Sequence, residues 1–80
     1  MKNNIEYLQS KIVENLPSLM DKVKQVEDGK FLFFHESFPE LRVEGITLTY
    51  VEDQLERVIR KNFKYQSSRH VDYLFNLLNK

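Results

Sequence analysis

Apolar residues recur at Ile5, Leu8, Ile12, Leu16, Leu19, Val23 and Val26, three or four positions apart, with mostly polar residues between them. That period predicts an amphipathic helix with a narrow apolar stripe over the first third of the chain. Pro17 falls inside the pattern and removes one backbone hydrogen bond, yet the stripe keeps its phase across it. The segment therefore reads as one kinked helix or two abutting helices, stopped at Gly29 after Glu27 and Asp28.

The pattern then changes. Residues 31–34 form a short aromatic run bounded by Gly29 and Pro39, which predicts a strand. Leu41, Arg42, Val43 and Glu44 alternate and predict a second, half-buried strand. Ile46, Leu48 and Tyr50 continue that alternation after a phase slip at Gly45, the mark of a bulge. Residues 37–40 would close the two strands into an antiparallel hairpin. Thr49 and Glu52 have the spacing of a capping box, opening a helix that buries Val51, Leu55, Val58, Ile59 and Phe63. Ser67 or Ser68 caps a last helix running to about Asn79. The expected fold is a single α+β domain over residues 1–80, in the order α-β-β-α-α.

Two parts of this pattern ask for a neighbour. A two-stranded ribbon is marginal alone and must pack on helices or pair at its edge with a second copy. On the last helix Val71, Leu74, Phe75 and Leu78 make one stripe. Tyr73 and Leu77 widen it to roughly 200°, against ~100° for an ordinary surface helix. Either this helix lies centrally, touched on two sides, or it keeps an exposed apolar face for a partner.

Composition narrows the class. Eighty residues, 41% hydrophobic and 30% charged, with two glycines and two prolines, describe one small globular domain. There is no cysteine, which excludes disulfides, thiolate metal sites and a cysteine nucleophile, and suits a reducing cytoplasm. No apolar run approaches the ~20 residues of a membrane helix, and the N-terminus has no apolar signal core. A cytoplasmic location is expected. Alanine, the best helix former, is missing from this helical chain, which points to the codon bias of an AT-rich genome such as that of a low-GC bacterium or its phages.

Charge sharpens the picture further. The net charge is zero, but residues 30–56 carry six acids against Lys30 and Arg42, and residues 57–80 carry six bases against Asp72 alone. The middle of the chain is acidic and the tail is basic.

Few residues have the spacing that chemistry needs. His35 and Glu36 are adjacent, but neighbours on a strand point to opposite faces, so a base and its orienting carboxylate are not expected there. Ser67, Ser68, His70 and Asp72 hold the letters of a catalytic triad. On a helix, however, His70 and Asp72 lie ~200° apart, and Ser68 with Asp72 reads as a cap and a first-turn acid. The two histidines have no zinc spacing, and Glu36, Glu40 and Glu44 lack the pattern of a calcium loop. With two glycines in the chain, a phosphate cradle is hard to build. No enzyme activity, cofactor, metal or small-molecule substrate is expected.

The basic tail is more specific. Arg57, Arg60, Lys61 and Lys64 follow one helix side, Arg69 and His70 come at the next cap, and Phe63 and Tyr65 are interleaved. Such a stripe could grip a nucleic-acid backbone. Against this, Asp53–Arg57 and Glu56–Arg60 are favourable pairs four residues apart, and the charge order suits the helix dipole.

Phe38-Pro39-Glu40-Leu41, with an aromatic strand before it and a glycine, a threonine and a helix after it, resembles the partial-RNase-H-like region of HicB-type antitoxins. The resemblance covers roughly a quarter of the chain. The segment from the turn to Gly45 is shorter here, Ile46 stands where that family has aspartate, and no strand is expected after the helix.

The reading is a small, non-enzymatic, cytoplasmic protein-interaction module, self-associating as a homodimer, of the kind carried by phages or mobile elements as accessory or inhibitor proteins acting by steric occlusion. Its candidate interface is Phe31, Phe33, His35, Glu36, Tyr73 and Leu77, with the acidic middle meeting a basic partner. The alternative is nucleic-acid binding through the patch at residues 57–70, carried by Arg60, Lys61, Lys64 and Arg69.

Overall fold

A computed structural model describes residues 4–80; the first three residues of the expected domain lie outside it. The chain folds as α1 (Asn4–Met20), β1 (Lys24–Gln25), β2 (Phe31–Phe33), β3 (Val43–Gly45), α2 (Leu48–Phe63) and α3 (Ser68–Leu78), with single 3-10 turns at Glu27–Gly29 and Pro39–Leu41. It is an α+β fold with three helices and a three-stranded antiparallel sheet in the order β1-β2-β3.

The sheet has one strand more than the expected hairpin. The apolar stripe from Ile5 to Leu19 is one helix, not two, whereas Val23 and Val26 fall outside it; Pro17 sits in its last turn, where the Val13 carbonyl loses its partner. The helix ends at Met20, and bonds from Lys22 to Leu19 and from Val23 to Met20 tighten its exit. Lys24 and Gln25 then pair with Leu32 and Phe31. Asp28 and Gly29, expected as a helix stop, turn the chain instead: both have positive φ, 73° and 75°. Asp-Gly between alternating residues is the strongest short hairpin signal, because these two residues tolerate left-handed backbone.

The next element also starts earlier than expected. Thr47, not Thr49, caps α2, its Oγ1 accepting from the Tyr50 amide at 3.1 Å. Gly45 ends β3 rather than bulging it, so Leu48 and Tyr50 belong to the helix and are half-exposed. A Cβ at Gly45 would lie 2.4 Å from the Tyr50 ring and 3.2 Å from Val51, so the helix approaches the strand where only glycine leaves room. Ser67 caps α3 by accepting from the His70 amide at 3.2 Å.

The core is built from the predicted stripes. Leu8, Ile12, Leu16 and Leu19 of α1 meet Val51, Leu55, Ile59 and Phe63 of α2 and Val71, Phe75 and Leu78 of α3. Phe33 and Val43 add the inner face of the sheet, and Phe38 and Leu41 fill in from its connection. The rings of Phe38, Phe63 and Phe75 stand 6.1 and 5.6 Å apart in sequence, tying the sheet to both C-terminal helices. The over-apolar last helix lies against α1 and, through Phe75, against α2, with Leu74 and Leu77 packed on the core and Tyr73 exposed. Along the α1–α3 seam Tyr7 donates to Asp72 at 2.5 Å, and Asn79 bonds Asn15 and Ser18 at 2.9 and 2.8 Å. These two helices therefore run parallel.

Candidate interaction surface

The antiparallel register decides which side chains share a face. Directly opposite residues point the same way, so Phe33 and Val43 face α2, and Lys24, Leu32 and Glu44 form one row on the outer face. Within "FLFF" the alternation is hidden by four apolar residues in succession. Phe33 is fully buried and Phe31 packs on the core, whereas Leu32 is half-buried and Phe34 is 48% exposed.

Lys24 and Glu44 are exposed, so the outer face is left to solvent. Lys22, Lys24, Val26, Leu32 and Phe34 line a groove of about 190 Å³ on its β1 side. Lys30, Glu44, Gly45, Ile46, Thr47 and Tyr50 line a hollow of about 450 Å³ at the β3 side, where Ile46 is 75% exposed. The surface thus presents an apolar middle with Lys22 and Lys24 along one edge and Glu44 with Lys30 along the other.

The structure does not bring the sequence-derived interface candidates onto one surface. Phe33 lies in the core and offers nothing to a partner. Tyr73 and Leu77 lie on α3, where Leu77 packs inward and Tyr73 stacks on His70 at 5.9 Å. His35 and Glu36 share a groove of about 370 Å³ with Lys22, Lys24, Phe34, Ser37 and Lys80. His35 Nδ1 accepts from the Ser37 amide at 3.1 Å, and its ring meets Phe38 at 5.9 Å. Among the described residues no bond joins His35 to Glu36. The outer-face residues Lys24, Leu32 and Phe34 were missed because β1 was missed; the Asp28-Gly29 turn was the signal that could have found them.

The basic patch divides. Arg60 is held by Glu56 at 2.7 Å and by Gln9, and Arg57 by Asp53 at 3.0 Å. Lys61 and Arg69 are exposed, and the Lys64 ammonium sits 4.9 Å over the ring of Tyr65, which is 85% exposed.

Asp72 is committed elsewhere than to His70. It accepts from Tyr7 and lies 3.4 Å from the Lys11 ammonium. The Tyr7 hydrogen bond, aided by Lys11, lowers the Asp72 pKa below the usual carboxylate value, and the same bond raises that of Tyr7. Among the described residues no three metal-ligating side chains cluster, and no helix is long and apolar enough to cross a membrane.

No family model, curated protein or solved structure matches the chain.

Proposed function

We propose that this is a small, non-enzymatic, cytoplasmic binding module that engages a protein through the outer face of its sheet and acts by occluding that protein's surface. The observation that carries this reading is the one-sided sheet: α2 covers its inner face, while Leu32 stands on the other between Lys24 and Glu44 and the 48%-exposed Phe34 lines the groove beside it. An apolar centre with a charged rim is the anatomy of a protein interface. Replacing Phe34 with the photo-crosslinking analogue benzoylphenylalanine tests it in cells. Protein adducts should form at position 34 and be absent when the same analogue replaces the exposed Tyr65. Equal labelling at both positions, or none at 34, ends the reading.

A second reading has its own observation. Tyr65 is exposed with the Lys64 ammonium over its ring, and Lys61 and Arg69, on either side of it in the sequence, are exposed too, which suits a single-stranded nucleic acid. It predicts that Lys61→Glu with Lys64→Glu abolishes binding to a labelled oligonucleotide, followed by fluorescence anisotropy, without unfolding the domain. A wild-type protein that ignores both DNA and RNA at low salt excludes it.

A further inference from the structure

We infer that the occupant of the outer sheet face is a second copy of this chain, docked face to face about a two-fold axis parallel to β2. This rests on the binding-module reading and names its partner.

The argument comes from the row Lys24, Leu32, Glu44, whose members are directly opposite one another across β1, β2 and β3. Neighbouring strands are ~4.8 Å apart, so the row reads cation, apolar, anion at even spacing. Rotating a copy by 180° about an axis along β2 reverses the row. Lys24 then stands over Glu44 of the second copy, Glu44 over its Lys24, and Leu32 over its Leu32. Face-to-face sheets pack ~10 Å apart, which the lysine and glutamate side chains can span while the leucines meet between them. An axis across the strands would instead stack Lys24 on Lys24 and Glu44 on Glu44, so the charges choose one of the two geometries.

The flanks are apolar apart from Lys30, which lines the β3 side with Glu44 and sets one like-charge contact against the two opposite-charge pairs of the row. Val26 and Phe34 line the groove beside Leu32 on the β1 side, and Ile46 extends the apolar surface on the β3 side. Reversal about the same axis brings the Val26 side of one copy to the Ile46 side of the other. Lys22, at the margin, donates to the Lys80 carbonyl at 3.2 Å. The chain's zero net charge sets no long-range repulsion against its own copy.

The row makes a specific test. Lys24→Glu leaves two anions around Leu32, and Glu44→Lys leaves two cations. Each variant alone should therefore associate about a hundredfold more weakly than wild type, because like charges now face each other. Mixed in equal amounts, the two should form a heterodimer, and the double variant, whose row is simply reversed, should recover the homodimer. Sedimentation velocity reads all four states, and circular dichroism confirms that these surface changes leave the fold intact. A wild type that stays monomeric up to high micromolar concentration overturns the inference, as does a wild-type dimer that both single variants preserve. Crosslinking at position 34 separates this failure from that of the broader reading. Adducts of twice the chain mass support the second copy. Adducts with another protein alone reject it while leaving the binding module standing, and no adduct at all rejects both.

Discussion

At the scale of single residues, the Tyr7, Lys11 and Asp72 cluster joins the first and last helices by opposite electrostatic demands. Asp72 has its pKa lowered in the fold, chiefly by the Tyr7 hydrogen bond, so its contribution is present above the unfolded carboxylate pKa. That contribution is lost as pH falls through the folded value. Tyr7 has its pKa raised by the same bond, so its contribution is complete below the unfolded tyrosine pKa and is lost as pH rises through the folded one. Stability should therefore have acidic and alkaline shoulders that both depend on this pair. Tyrosinate absorbance during an alkaline titration should show Tyr7 ionising above the usual tyrosine value. Asp72→Asn should bring the Tyr7 titration back toward the usual tyrosine value and flatten the acidic shoulder of the melting temperature. A late step that survives Asp72→Asn would assign the shift to some other group.

At the scale of elements, the helix caps test where the chain changes from strand to helix. Thr47→Ala should cost about 1 kcal/mol in urea unfolding, and Thr49→Ala much less, because the hydroxyl of Thr47 is the one that meets the Tyr50 amide. The capping-box spacing at Thr49 and Glu52 is real in the sequence, but Gly45 ends the strand two residues too early for it. The helical stripes of α2 and α3 were legible because each buries every third or fourth residue over several turns. β1 was not, since it has two residues, both exposed, and Val23 and Val26 also suit a helical period. The outer face suffered with it. Leu32 and Phe34 cannot be told from Phe31 and Phe33 by composition, and only the register against β1 and β3 sorts them. The charge pairs on α2 were legible from spacing alone, whereas the link from Arg60 to Gln9 crosses between helices and leaves no local signature.

For the whole molecule, size sets the margin. An 80-residue domain has about 4–12 kcal/mol of stability to lose. Phe33 has no exposed surface, and Phe→Ala in a core costs about 3–5 kcal/mol. Phe33→Ala should therefore remove a large share of that margin and lower the melting temperature by more than about 10 °C, read by helical circular dichroism, while Phe34→Ala on the opposite face should melt near wild type. The molecule is elongated, 47 Å by 21 Å by 18 Å, with its first and last helices side by side. The bond from Tyr7 to Asp72 closes a loop of 65 residues. During synthesis at ~5–20 residues per second, the later residue follows the earlier one by roughly 3–13 s. For that interval the flank of α1 that will meet α3 has no partner of its own chain, and the nascent protein shows the ribosome's surroundings an apolar stripe. The parallel pairing of the two helices thus makes synthesis of α3, rather than emergence of α1, the event that ends this exposure to chaperones and to other nascent copies.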